Sequence, residues 1–106
     1  LRMLLGYGTI HGRRVIGEQA VRVGTSNLLP AGTSTAGTFV AGQGFGAGGR
    51  VDEKQGVYGW GGAAGTVAFV SYSAGLRASL FTQYMPTDAL PLASDFPKAV
   101  LADLAA

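Results

Sequence analysis

With 106 residues the chain has room for at most one modest domain. It has no cysteine, which excludes disulfides and thiolate chemistry. Its net charge of +2 is dispersed, with Arg13-Arg14 the only adjacent basic pair, so no basic stripe points to nucleic acid. Eighteen glycines beside a charged content of only 13% fit either a surface normally covered by other polypeptide or a simple Gly/Ala-rich composition.

In chain order, Leu1–Leu5 followed by Gly6 reads as the end of a helix with a glycine stop. Thr9–Ile16 is a short turn with apolar shoulders, and Glu18–Val23, ending at Gly24, a second short helix. Thr25–Gly42, rich in Thr, Ser, Gly and Ala, has no helical period; it reads as a long loop with one short strand near Thr38–Ala41. Gln43–Val51 reads as a glycine-rich strand, and Asp52–Gly56 as a polar turn into the central stretch Gln55–Ser71. Val67–Ser71 turns at Ser73-Ala74-Gly75 into Leu76–Gln83; both runs carry apolar residues on both faces, the pattern of a sheet covered on two sides. After a Pro-punctuated link, Ser94 or Asp95 is placed to cap a closing helix, in which Phe96, Val100, Leu101 and Leu104 share a face and Asp103 points away. The expected fold is α+β: an antiparallel sheet of about three strands with a C-terminal helix packed on it. No leader, membrane-length apolar run or internal repeat is visible.

The chemistry concentrates in Gly59-Trp60-Gly61-Gly62-Ala63-Ala64-Gly65-Thr66. Glycines inside strand-like sequence order a very free backbone and pack nothing in return, so a cluster of them implies that something approaches the main chain closely, a substrate being one candidate. By contrast, Gly44–Gly49 formally matches G-x-G-x-x-G but is followed by neither a helix nor an acidic residue about twenty positions on, which argues against a dinucleotide site. His11, the only histidine, has no ligand set or triad partner in the sequence around it and reads as a turn residue. No cofactor or metal is implied.

Tyr58-Gly59-Trp60-Gly61-Gly62-Ala63-Ala64-Gly65-Thr66, with Phe81-Thr82-Gln83-Tyr84-Met85-Pro86 one strand later, resembles the third conserved box of the serine β-lactamase-like superfamily. The nearest branch is the esterases related to class C β-lactamases, in which Trp-Gly-Gly stands in place of Lys-Thr-Gly. The order of segments from Leu1 to Ala106 resembles the C-terminal quarter or so of such an enzyme, so the resemblance implies one part of a larger α/β sandwich. It also implies that Trp60, Gly61 and Gly62 line the substrate and that Ala63 gives a backbone N–H to the oxyanion hole, where a preset donor stabilises a tetrahedral intermediate. On the residues alone, Trp60 is either a pocket wall or a core or interface aromatic. A wall of indole instead of lysine carries no cation, which implies a preference for neutral esters over carboxylate-bearing β-lactams. Thr66, Tyr58 and Tyr84 are possible hydrogen-bond donors near the pocket, although such strand residues more often satisfy local needs.

The superfamily's nucleophile lies in Ser-x-x-Lys, and none of Ser26, Ser34, Ser71, Ser73, Ser79 or Ser94 has a lysine three residues on. Asn27 has no tyrosine beside it, and Leu1 cannot serve as an N-terminal nucleophile. Nucleophilic catalysis needs a hydroxyl next to a base, and no recognisable pair is present. Three readings follow. The chain is a segment of an esterase whose serine lies on other polypeptide of the same domain; or it is a non-catalytic binding or assembly module; or it is a fragment paired with a second copy of itself. A D,D-peptidase or β-lactamase-type amide hydrolase is a variant of the first. The expected partners are a small ester or acyl substrate and the nucleophile-bearing polypeptide, with no nucleic acid and no membrane span.

Overall fold

The computed structural model describes all of Leu1–Ala106. The chain opens with a single helical turn, α1 (Arg2–Leu5), stopped at Gly6. A two-residue hairpin follows, β1 (Thr9–Ile10) against β2 (Arg13–Arg14). The His11-Gly12 turn between them takes φ of 49° and 76°, the paired positive values of a type I′ connection, whose twist matches that of its strands. The short helix α2 (Glu18–Gly24) ends at the glycine expected to end it, with an Arg22–Glu18 pair on its exposed face.

The main sheet is an antiparallel meander of five strands, β3 (Gly44–Phe45), β4 (Arg50–Asp52), β5 (Val57–Gly62), β6 (Thr66–Ser71) and β7 (Leu76–Leu80), ordered in space as in sequence. It has five strands where about three were expected, because Gln43–Val51 is not one strand. Gly46 to Gly49 folds that segment back on itself, the Gly46 N–H donating to the Gly49 carbonyl at 2.8 Å. The expected strand at Thr38–Ala41 is also absent; those residues form turns. Hydroxyl groups hold the loop there instead, Thr35 Oγ1 donating to the Gln43 carbonyl and accepting from the Gly42 amide. The loop's start is tied to the sheet by Asn27, whose Oδ1 accepts from the amides of Leu29 and Phe45.

Burial follows the sheet's centre. Val51, Val67, Phe69 and Val70 form the buried apolar set with Val21 of α2 and Val40 of the loop. In β6 both faces are covered, as its apolar pattern implied, but β7 alternates half-buried with exposed residues and so is covered on one face only.

The closing helix α3 (Leu92–Ala105) packs across β6 and β7, with Phe96 meeting Phe69 edge-on at 6.0 Å. It begins earlier than expected and neither Ser94 nor Asp95 caps it. The Pro91 carbonyl accepts the amides of Ser94 and Asp95, and the Ser94 hydroxyl also donates to it. Phe96, Val100 and Leu101 are half-buried, whereas Leu104 is 61% exposed, beyond the turns of the helix that meet the sheet. No helix is long and apolar enough to cross a membrane.

Candidate functional site

The register places Trp60, Gly61 and Gly62 at an edge within the sheet. Arg50, the first residue of β4, lies opposite Gly59, so beyond that point β5 keeps a neighbour on the β6 side only, where Trp60, Gly61 and Gly62 pair with Ala68, Val67 and Thr66. Ala63, Ala64 and Gly65 then make the turn into β6. The Gly65 amide donates to the Gly62 carbonyl at 3.1 Å, and Gly65 takes a φ of 72°, the left-handed position of a three-residue hairpin loop. Ala63 is exposed in this turn, outside the ladder, and its N–H has no acceptor within the chain.

Trp60 is 39% exposed and sits among aromatic rings rather than in the core. Phe45 of β3 and Phe39 of the long loop meet it edge-on at centroid distances of 5.6 and 5.7 Å, a geometry in which a positive ring edge faces a negative ring face. The loop therefore reaches this edge through Phe39. The Arg50 guanidinium lies 5.6 Å from the Trp60 ring centroid. The indole, itself uncharged, thus has a neighbouring cation supplied by the adjacent strand.

Below these side chains is a cavity of about 190 Å³ between the sheet and α3. Val57, Trp60, Val67 and Phe69 give it apolar walls; Arg50, Asp52, Gln43 and Gln55 stand on one side, and Ser94 and Lys98 of α3 on the other. Gly59 and Gly61 line it too, but the close approach that the glycines permit is made largely by the chain itself. A Cβ on Gly59 would lie 2.7 Å from Phe69 Cβ, and one on Gly62 would collide with Thr66 Oγ1. Gly49 likewise yields its space to the Tyr58 ring.

Of the other polar candidates, some are engaged locally and some are not. Tyr58 donates its hydroxyl to the Ala47 carbonyl at 2.6 Å, and burial holds its ionisation above the ordinary tyrosine value. The Tyr84 and Thr66 hydroxyls make no hydrogen bond within the chain. His11 is exposed and hydrogen-bonded to Arg2 at 2.6 Å. Ser94 and Lys98 share α3, yet the Ser94 hydroxyl is engaged by Pro91 and Asp95, and Lys98 stands 4.0 Å from Asp95. No serine is hydrogen-bonded to a lysine or to the histidine. No three His, Asp or Glu side chains converge as a metal site would require.

The sequence did not single out Arg50, Phe39, Phe45 or Thr82. Arg50 had a readable signal, a lone cation between glycine and valine in a strand-forming run. The role of Thr82 depends on a contact 17 and 18 residues away: its Oγ1 donates to the carbonyls of Ala64 and Gly65 at 2.8 and 2.9 Å, bracing the turn that carries Ala63.

No family model matches the chain, and no curated protein matches it.

Proposed function

We propose that this chain is part of a serine hydrolase that acts on carboxylic esters or related acyl substrates through an acyl-enzyme. In this reading Trp60, Gly61 and Gly62 form a wall of the active site and Ala63 supplies a backbone amide to the oxyanion hole. The reading is carried by one observation: the exposed Ala63 amide has no acceptor in the chain and follows a glycine-edged strand whose Trp60 and Gly61, three and two residues earlier, line a cavity. The reactive serine and its base come from further polypeptide that completes a β-lactamase-like α/β sandwich. The serine oxygen bonds to the acyl carbon, the ester C–O bond breaks as the alcohol leaves with a proton, and water then releases the acid.

The molecule's surface supports a covering partner. Its accessible area is 6676 Å², against about 5,500 Å² for a compact monomer of its mass, and the excess is comparable to one side of a standard protein interface. The radius of gyration, 14.2 Å, also exceeds the roughly 13 Å of a compact chain of this length. The same uncovered surface is what favours the second reading, a non-catalytic binding or assembly module.

A fluorophosphonate probe applied to the natural polypeptide that carries Leu1–Ala106 separates the two. The hydrolase reading expects one labelled serine lying outside these residues, and no label on the 106-residue chain alone. Absence of any label on folded natural polypeptide would favour the binding module, and a label on one of these six serines would overturn the assignment of the nucleophile to other polypeptide. Relative rates on short p-nitrophenyl esters and on penicillins distinguish an esterase from a β-lactamase-type amide hydrolase.

A further inference from the structure

Arg50 carries five N–H donors, yet it makes no ion pair and no hydrogen bond within the chain. The residue is half-buried, and its guanidinium stands over the face of Trp60 at 5.6 Å. Lys98 of α3 borders the same cavity with its side chain largely exposed, tied only at 4.0 Å to Asp95. Two incompletely paired cations thus face a space with apolar walls. The one carboxylate in the lining, Asp52, has its Oδ1 occupied by the amides of Lys54 and Gln55 and makes no ion pair with Arg50. It sits two residues further along the strand on the same face, which leaves the Trp60 end of the cavity to Arg50.

From this arrangement we infer that the cavity binds a small molecule bearing a carboxylate, with its anionic head on Arg50 and its apolar body against Trp60, Val67 and Phe69. A planar guanidinium fits a carboxylate through two parallel N–H···O bonds, which a neutral amide of the same shape cannot match. The inference rests on the hydrolase reading only in taking that molecule to be an acyl substrate or the acid it releases. The carboxylate contact itself needs no nucleophile. It reverses the preference for neutral esters implied by the replacement of lysine with tryptophan, because the cation is restored from the neighbouring strand.

The test uses the natural polypeptide carrying these residues, labelled with 5-fluorotryptophan, the Trp60 signal being assigned from W60F. Benzoate is the probe and benzamide its neutral match, read by fluorine NMR without reference to catalysis. Benzoate is expected to shift the Trp60 signal saturably, at an apparent affinity at least about tenfold better than benzamide. Arg50→Met is expected to abolish that difference while leaving the unliganded spectrum folded, and Arg50→Lys to retain part of it. Equal titration by the two probes, no shift with benzoate, or an unchanged benzoate titration in Arg50→Met overturns the inference. If fluorophosphonate labelling fails while benzoate still binds through Arg50, the hydrolase reading falls and the carboxylate site stands.

Discussion

The Tyr72 hydroxyl donates to the carbonyl oxygen of Leu4 at 3.0 Å, joining the end of β6 to a helical turn 68 residues earlier. The same ring stacks on Tyr7 at 4.8 Å with an interplanar angle of 18°, and the Arg22 guanidinium covers the Tyr7 ring at 4.1 Å. Tyr72→Phe keeps the stack and removes the donor. It is expected to cost about 1 kcal/mol, the usual net value of one such bond, and so to lower Tm by about 4–8 °C for a domain of this size. Tyr72→Ala removes the stack as well and costs more. Equal Tm values for the wild type and Tyr72→Phe would show that the first helix is held by packing alone.

The two partly buried tyrosines also set an alkaline limit. Burial raises the ionisation of Tyr58 and Tyr72 above the ordinary value of 10.0. Their folded-state values exceed their unfolded ones, so the stability they contribute is fully present below about pH 10 and is lost as pH rises through the higher folded values. Urea midpoints at pH 9 and pH 11 check the sign. A fall between them is expected in the wild type and a smaller fall in Tyr72→Phe; identical falls would mean that Tyr72 does not contribute.

Gly59 and Gly24 separate glycines that packing requires from those it tolerates. At Gly59 a methyl group would meet the Ala68 carbonyl oxygen and Phe69 Cβ, which belong to β6, a strand paired on both sides, and cannot move aside. Gly59→Ala is expected to destabilise by about 1–3 kcal/mol, the range for overpacking. At Gly24, the last residue of α2, the nearest atom to a new Cβ is Ala47 Cβ at 3.5 Å, an ordinary contact. Gly24→Ala is expected to stabilise by about 0.4–1 kcal/mol through the unfolded chain. Denaturant midpoints of the two variants should therefore move in opposite directions.

What the sequence made legible was local. Gly6 and Gly24 as helix ends, the polar turn at Asp52–Gly56 and the run of β6 all follow from near-neighbour chemistry and form where their residues place them, while β7 starts at Leu76 as expected but stops at Leu80 and not at Gln83. The misjudged segments depended on distant partners. Gly44–Gly49 reads as continuous strand until the Tyr58 ring is seen to fill the space against Gly49 and its hydroxyl to pin Ala47. Thr38–Ala41 has strand-forming Thr, Phe and Val, but hydroxyl bonds to nearby backbone turn it instead. At the site, Trp60 was legible as a residue in an unusual place, and Arg50 as a lone cation in a strand-forming run; their juxtaposition was not, because only the β4–β5 register brings Arg50 to Trp60.

Thr82 links stability to the proposed chemistry. Its hydroxyl bridges the carbonyls of Ala64 and Gly65, and the Tyr84 amide adds a bond to Ala64 at 3.2 Å, so the turn presenting the Ala63 amide is held from β7's end of the chain. Thr82→Val preserves shape and removes the donor, leaving the carbonyl of the buried Gly65 without this partner. A loss of about 1–3 kcal/mol is expected, with faster hydrogen exchange at Gly65 and nearby turn amides. If Ala63 donates to the oxyanion, Thr82 acts as a positioning residue, and in the intact hydrolase the variant lowers kcat by about tenfold to 100-fold with little change in KM. Thr82→Ser, which restores the hydroxyl, should recover both stability and kcat. Loss of stability with an unaltered kcat would leave Thr82 a brace for the turn and remove Ala63 from the oxyanion hole.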